Sequence, residues 1–138
     1  MNITGTIPSE LASLTDLTLL VLHSNTLSGT LPLWVAEFPL LAQLDLSANR
    51  LTGTIPGQYL SVAQLDLDDN LLTGPVPSGE GLASRELAVS FLDLRYNMLS
   101  GSIPEEIQSF ARLEWLFLDQ NLVSGRLPKI ILGQDLLF

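Results

Sequence analysis

Residues 41–56 read LAQLDLSANRLTGTIP, and this stretch decides the fold. Leu44 and Leu46 alternate with polar residues, and a period of two is typical of a strand with one buried face. Residues 53–56 combine a glycine that permits tight backbone geometry, an apolar residue that plugs the core and a proline with a fixed φ. The stretch therefore predicts a short strand, a tight turn and a return segment.

The same pattern recurs along the chain, with 21 to 27 residues between successive asparagines. Because leucine recurs within it, 32 of the 138 residues are leucine. A fixed period of this length indicates a solenoid of stacked coils. We predict one domain over residues 1–138, with a partial repeat over residues 1–16 and no capping segment at either end. The five full repeats begin near Leu17, Leu41, Val62, Val89 and Leu113.

The pattern shared by these copies, LxxLxLxxNxLSGxIP, resembles the plant-type leucine-rich repeat of receptor-like ectodomains and polygalacturonase-inhibitor-like proteins. The resemblance implies an α/β repeat solenoid that coils to the right. It also implies a parallel concave sheet, a short second sheet, and 3-10 or short α-helical turns on the convex side. Apolar residues spaced by three after Pro8 and Pro104 agree with such turns. We expect these apolar residues, including Leu14, to fill the core.

An asparagine stands in each repeat where the chain turns inward after the strand. Its short amide can bond backbone groups that the turn leaves unpaired. We therefore predict a structural ladder of asparagines, one per coil. Its members are Asn25, Asn49, Asn70, Asn97 and Asn121.

Composition excludes several classes of function. Fifteen acidic and six basic residues give a formal net charge of -9, which repels a nucleic-acid backbone. With no cysteine and His23 as the single histidine, we predict no metal site and no cofactor. We predict no enzyme activity, because His23 and Ser24 are expected either on different sides of a strand or at its end, with no carboxylate partner at Val21. No apolar run reaches 18 residues and residues 1–8 show no signal-peptide pattern, so we predict no membrane insertion.

Function in a solenoid belongs to the variable strand positions, because the leucines are committed to the core. Two groups of side chains fall on the predicted concave face. One is an acidic stripe of Asp45, Asp66, Asp68, Asp69 and Asp93. The other is an aromatic group of Phe91, Tyr96, Trp115 and Phe117. Exposed aromatic rings beside unpaired charge are typical of a protein-binding face, and the charge favours a basic protein or peptide.

A structural interpretation of the same residues stays open. Aspartate is usual at these strand positions in the family, so the stripe can be a solvated face. Arg95 lies beside Asp68 and Asp119 in the predicted columns and can neutralise them. The aromatic residues are the stronger candidates, because nothing in the repeat requires Trp115 and Phe117 to point outward.

Other functions stay open as well. The same face can inhibit a secreted cell-wall-degrading enzyme, as in polygalacturonase-inhibiting relatives, or the chain can be a structural spacer of a receptor-like protein. Uncapped ends predict self-association, and the family's usual setting favours an extracellular location. Ice binding is a further alternative, because hydroxyl residues flank each repeat's glycine and regular hydroxyl columns can order water. The columns hold Thr4, Ser28, Thr52, Thr73, Ser100 and Ser124 before the glycine, and Thr6, Thr30, Thr54 and Ser102 after it, interrupted by Pro75 and Arg126.

Overall fold

The computed structural model describes residues 2–80, 82, 87–126 and 128. Within these residues the strands form two parallel sheets, and each full coil contributes one strand to both. The five-stranded sheet has the order β2 (Leu19–Val21), β4 (Gln43–Asp45), β6 (Gln64–Asp66), β8 (Phe91–Asp93) and β10 (Trp115–Phe117). The six-stranded sheet has the order β1 (Thr4–Gly5), β3 (Thr26–Thr30), β5 (Arg50–Gly53), β7 (Leu71–Gly74), β9 (Met98–Gly101) and β11 (Leu122–Val123). The predicted α/β repeat solenoid is confirmed.

The core lies between the two sheets and the return segments. In the five-stranded sheet, strand neighbours pair one repeat apart, so Leu44 pairs with Leu20 on one side and Leu65 on the other. The middle residue of every strand in this sheet is therefore a buried leucine. Stacked leucines remove a continuous apolar strip from water, which is the main stabilising contribution in a fold of thin coils.

Short helical turns return the chain from the six-stranded sheet to the next coil. They are 3-10 helices at Ser9–Ser13, Gly57–Ser61 and Glu105–Ser109, and one α-helix, α1, at Leu33–Ala36. Each begins after a proline in extended conformation, which fixes the direction of the return. The spacing of three reflects hydrogen bonds such as Leu11 N–H to Pro8 O at 3.1 Å and Ile107 N–H to Pro104 O at 3.2 Å.

One expectation about these turns is wrong. Leu14 is 48% exposed and does not fill the core, whereas Phe38 and Phe110, which stand at the same position in later coils, are buried. Leu14 belongs to the first described coil, which has a neighbouring coil on one side only, and its side chain is smaller than phenylalanine. The spacing of apolar residues predicted the turn correctly and its burial incorrectly.

The shortest repeat is accommodated by one large side chain. Tyr59 is fully buried in the 3-10 helix Gly57–Ser61. Two residues separate this helix from β6, whereas five residues separate the 3-10 helix Glu105–Ser109 from β10. Its hydroxyl donates a hydrogen bond to Pro32 O at 3.0 Å in the preceding coil. Burial raises the pKa of the Tyr59 hydroxyl, so the group stays a donor. The ring thus fills the space that a three-residue deletion leaves.

Candidate functional site

The asparagine ladder holds the end of each strand in the five-stranded sheet. Asn70 Nδ2 donates to Leu46 O at 3.0 Å, in the preceding coil, and to Asp68 O at 3.1 Å, in its own turn. Asn70 Oδ1 accepts from Leu51 N–H at 3.0 Å. One amide therefore satisfies buried backbone groups of two coils. The same arrangement recurs at Asn49, Asn97 and Asn121. Asn25 Oδ1 likewise accepts from Ile3 N–H, but its Nδ2 donates within its own turn, to Leu22 O and His23 O.

The residue before each ladder asparagine has a left-handed backbone. The φ angles range from 49° to 56° at Ser24, Ala48, Asp69, Tyr96 and Gln120. These positions lie in the turn beyond the strand, so their side chains do not continue the alternation of the sheet. Asp69 and Tyr96, both predicted as site residues, are exposed but belong to this turn.

The side of the five-stranded sheet that faces away from the core is called the open face here. It carries the first and third residue of each strand, because the middle leucine points inward. The first residues form the row Leu19, Gln43, Gln64, Phe91 and Trp115. The third residues form the row Val21, Asp45, Asp66, Asp93 and Phe117. The open face is thus the predicted concave face, with its chemistry changing from strand to strand.

Three aromatic rings form a continuous ridge on strands β8 and β10. The rings of Trp115 and Phe117 are stacked, with centroids 6.2 Å apart and planes 14° from parallel. Phe91 lies 5.6 Å from Phe117, and the Arg95 guanidinium lies 4.8 Å from the centroid of Phe117. Trp115 remains 40% exposed. Three of the four predicted aromatic residues therefore come together, and this aromatic ridge consists of Phe91, Trp115 and Phe117.

Asp93 does not belong to an exposed acidic stripe. Asp93 is 1% exposed and forms an ion pair with Arg95, two residues later in the chain. The Nε of Arg95 donates to the Asp93 carboxylate oxygens at 2.9 and 3.0 Å. The Arg95 backbone N–H also donates to Asp93 Oδ1 at 3.1 Å. The hydrogen bond with Asp93 raises the pKa of Arg95. Arg95 therefore neutralises its neighbour two residues back, and the expected pairing with Asp68 and Asp119 is replaced by this shorter connection.

The other acidic residues of the sheet keep their negative charge close together. Asp45 Oδ1 accepts from Ser47 N–H at 3.0 Å and Ser47 Oγ at 2.7 Å, and Asp66 Oδ1 accepts from Asp68 N–H at 3.1 Å. Burial raises the pKa of Asp66 to about 6, and the charges of Asp68, Asp93 and Asp45 add to the effect. Burial, followed by the charge of Asp93, also raises the pKa of Asp68. The centre of the open face therefore holds closely spaced carboxylates whose negative charges repel one another.

A shallow recess lies between strands β4, β6 and β8. Its volume is about 260 Å³, and its lining includes Leu44, whose side chain is buried in the core. The remaining lining consists of Gln43, Gln64, Asp45, Asp66 and Phe91. Two carboxamides, two carboxylates and one ring thus surround the same space at the centre of the open face.

Comparison with protein families identifies the repeat. The family model described as Leucine Rich Repeat matches residues 40–59 and 88–110. The chain is a leucine-rich repeat protein. No curated protein matches it by sequence.

The fold of this leucine-rich repeat protein is similar to plant receptor ectodomains. The ectodomain of the Arabidopsis thaliana receptor kinase GASSHO1/SCHENGEN3, solved with CASPARIAN STRIP INTEGRITY FACTOR 2, is 32% identical with a TM-score of 0.84, over 94% of this chain and 16% of that chain. The Arabidopsis receptor kinase HAESA, solved with the peptide hormone IDA and the co-receptor SERK1, is 32% identical with a TM-score of 0.82, over 99% and 23%. The leucine-rich repeat protein thus spans less than a quarter of the length of these receptor chains.

A plant ice-binding protein has the same fold. It is 34% identical to the leucine-rich repeat protein with a TM-score of 0.72, and the match covers 88% of this chain and 46% of that chain. The repeat fold therefore occurs in proteins with different named roles, so the fold alone does not assign a function.

Two exposed aliphatic residues on the open face escaped the sequence prediction. Leu19 is 49% exposed and Val21 is 44% exposed, both on strand β2 of the leucine-rich repeat protein. Their signal was present in the sequence, because the equivalent positions of β4 and β6 carry Gln and Asp. The open face therefore has apolar surface at β2 and at β10, with polar surface between.

The residues suited to catalysis form no reactive group. His23 Nδ1 lies 3.0 Å from Ser24 Oγ. Of the two expected placements the structure shows the strand end, because both residues follow β2 and Ser24 has left the strand geometry at φ 55°. Both side chains are exposed, and no carboxylate among the described residues hydrogen-bonds to His23. In the described part of the leucine-rich repeat protein, no group of three His, Asp or Glu residues is placed to hold a metal ion. None of its described helices is long and apolar enough to cross a membrane.

Proposed function

We propose that this leucine-rich repeat protein is a non-enzymatic recognition module that binds a protein or peptide on its open face. The observation that carries the proposal is the aromatic ridge. Trp115 stacks on Phe117 and the tilted Phe91 ring lies against Phe117 at the solvent side of the sheet, while the core is already filled by leucines. Partly exposed, pre-stacked rings offer large contact area at low entropic cost, which is typical of the residues that dominate binding energy.

The similar receptor structures support a recognition role. HAESA was solved with a peptide hormone and a co-receptor, and its ectodomain shares this fold over nearly all of the present chain. By the same similarity we propose an extracellular setting, with the chain acting as part of a receptor-like recognition surface. The partner is a peptide or protein with basic character, because Asp45, Asp66 and Asp68 leave negative charge at the centre of the open face.

The aromatic ridge gives a direct test of this proposal. Peptides selected from a random displayed library against the protein are measured for affinity to wild type and to Trp115→Ala. We expect Trp115→Ala to weaken binding by about 10- to 100-fold, the usual range for a buried aromatic anchor. Leu40→Ala is the control, because Leu40 is also an exposed apolar residue, at 55%, but lies in the turn after α1. Selected peptides that bind Trp115→Ala as tightly as wild type contradict the proposal.

Ice binding is the second candidate, and a specific contact favours it. In the six-stranded sheet, the Cγ2 methyl groups of Thr6, Thr30 and Thr54 lie over Gly29, Gly53 and Gly74 of the next coil, within 2.8–3.0 Å of where a Cβ would stand. Packing against glycine fixes the threonine rotamers, so three consecutive coils present a threonine side chain in the same orientation at regular spacing. The similarity to a plant ice-binding protein supports this candidate as well.

An ice-recrystallisation assay separates the two candidates. If the threonine column binds ice, the protein slows recrystallisation, and Thr30→Lys removes the effect because a long cation interrupts the column at its centre. Gln58→Lys, an exposed change on the 3-10 helix Gly57–Ser61, adds the same charge elsewhere and leaves the effect intact. Wild-type protein that fails to slow recrystallisation at high concentration excludes ice binding.

A further inference from the structure

The open face has a defined order of chemistry across its five strands. Strand β2 presents Leu19 and Val21, both exposed and apolar. Strands β4 and β6 each present one glutamine and one aspartate. Strands β8 and β10 present the aromatic ridge. Polar surface at the centre is therefore bordered by apolar surface on both sides.

The recess at the centre suits a positively charged side chain. Its carboxylates, Asp45 and Asp66, receive their hydrogen bonds at Oδ1, and no described residue donates to their Oδ2 atoms. Arg95, which follows strand β8, is already paired with Asp93. The Phe91 ring offers apolar contact for a methylene stem, while the carboxylates attract its charged end.

The recess also carries groups that recognise a peptide backbone. Gln43 and Gln64 lie in register on neighbouring strands, and both are exposed. Each carboxamide can donate to a carbonyl and accept from an N–H, which matches the alternating groups of an extended chain. A volume of about 260 Å³ accommodates one long side chain with room for water. The lining thus offers apolar surface to the methylene stem, and carboxylates to the charged end, of a lysine or arginine side chain.

Strand spacing fixes the length of ligand that covers the whole face. Adjacent strands lie about 4.8 Å apart, so β2 and β10 are separated by about 19 Å. An extended peptide advances about 3.3 Å per residue, so about six residues cross the sheet. The recess lies halfway, opposite the third or fourth residue of such a peptide. An apolar side chain at each end then reaches β2 or the aromatic ridge.

We propose that the open face binds an extended segment of about six residues laid across the strands, with a lysine or arginine side chain in the central recess and apolar side chains at both ends. This inference rests on the proposed recognition function and specifies its ligand. Leu19 and Val21 contact one end of the segment, and the aromatic ridge contacts the other. Asp45 and Asp66 select the central cation.

Blocked hexapeptides test the central position. The probes carry leucine at positions one and five, serine elsewhere, and lysine, norleucine or glutamate at position three, each with a fluorescent label. We expect the lysine peptide to bind at least about 10-fold more tightly than the norleucine and glutamate peptides, since norleucine keeps the stem and lacks the charge. Position three faces the recess in either direction of the peptide, because it lies midway between the two leucines and the side chains at positions one, three and five of an extended chain point to the same side.

Variants of the recess separate a specific contact from general attraction. Asp45→Asn and Asp66→Asn keep the shape and the Oδ1 acceptor, and we expect each to reduce the preference for lysine over norleucine several-fold. Asp16→Asn removes the same charge from an exposed position in the first coil and leaves the preference unchanged. Equal binding of the lysine and norleucine peptides, binding of none, or equal effects of Asp66→Asn and Asp16→Asn overturns the inference. The affinities of the library peptides for wild type and for Trp115→Ala test the proposed function independently of this inference.

Discussion

The two sheets of this solenoid are built from the same repeats but obey different rules. In the six-stranded sheet, glycines one repeat apart adopt φ angles of 81–103°, and most lie under a side chain of the preceding coil. In the five-stranded sheet, the outward residues change from Leu and Val to Gln and Asp and then to aromatic residues. Side chains that contact a neighbouring coil recur from repeat to repeat, whereas side chains that face solvent are free to vary. The variable positions are therefore where recognition is expected.

The largest effect is expected where a repeated side chain is removed. Asn70→Ala deletes the acceptor of the buried Leu51 N–H, which is left unpaired, and one of the two amide donors to Leu46 O, which keeps its bond from Asn49 Nδ2. An unpaired buried group costs about 1–3 kcal/mol and the lost amide hydrogen bonds add to this cost, so we expect a loss of about 3 kcal/mol in the free energy of unfolding. Urea unfolding followed by circular dichroism measures it.

The matched control for this substitution lies on the open face of the same coil. Gln64→Ala also truncates a carboxamide, but the side chain is exposed, so we expect a change within about 0.5 kcal/mol. A loss for Asn70→Ala below about 1 kcal/mol, or similar losses for both variants, contradicts the distinction between repeated and variable positions.

A smaller effect tests the glycines of the six-stranded sheet. Gly74 and Gly101 share a φ of 84°, but a Cβ at Gly74 would lie 2.8 Å from Thr54 Cγ2, whereas Gly101 has nothing within 4 Å. Alanine in this backbone region costs about 1 kcal/mol. We expect Gly101→Ala to lose about 1 kcal/mol in the free energy of unfolding and Gly74→Ala about 2 kcal/mol, because the methyl contact adds to the backbone strain.

A double-variant cycle isolates the methyl contact. Thr54→Ser removes Cγ2, so in the Gly74→Ala background it is expected to recover about 1 kcal/mol, while in the wild-type background it is neutral or destabilising. Equal losses for Gly74→Ala and Gly101→Ala in thermal or urea unfolding contradict the proposed packing of threonine on glycine. The ice-binding candidate then loses its structural support, since it depends on the same packing.

Sequence reasoning predicted the repeated part of the molecule better than the variable part. The sheet strands, the asparagine positions and the 3-10 turns follow from spacing, because each is fixed by contacts that recur in every coil. Asp93 shows where such reasoning ends. Its pairing with Arg95 depends on side-chain conformation and on the Phe117 ring beneath the guanidinium, which no period encodes. Tyr96 was misplaced for a related reason, because the turn before Asn97 adopts a left-handed backbone in a residue other than glycine.

The smallest effect concerns the charge at the centre of the variable face. Burial raises the pKa of Asp66 from 3.8 to about 6, so between these values the folded protein holds a proton that the unfolded chain has released. Folding is therefore progressively disfavoured as the pH rises from about 4 to 6, and the full effect of Asp66 is present above pH 6. The shift corresponds to about 3 kcal/mol, which solvent screening of this half-exposed group reduces to about 1 kcal/mol.

Asp66→Asn removes this ionisation and keeps the acceptor for Asp68 N–H. We expect the variant to gain about 1 kcal/mol in the free energy of unfolding over wild type at pH 7.5, and the gain to vanish at pH 3.5, where wild-type Asp66 is protonated in both states. Urea unfolding at pH 3.5, 5 and 7.5 measures the difference, with Asp16→Asn controlling for the loss of one negative charge. A gain that is independent of pH, or equal in the Asp16→Asn control, excludes destabilisation of the fold by the ionised Asp66 carboxylate. The lysine hexapeptide is expected to stabilise wild type and not the variant, because it binds the Asp66 carboxylate. If the gain at pH 7.5 disappears when this peptide is added, the same carboxylate both destabilises the free protein and binds the ligand.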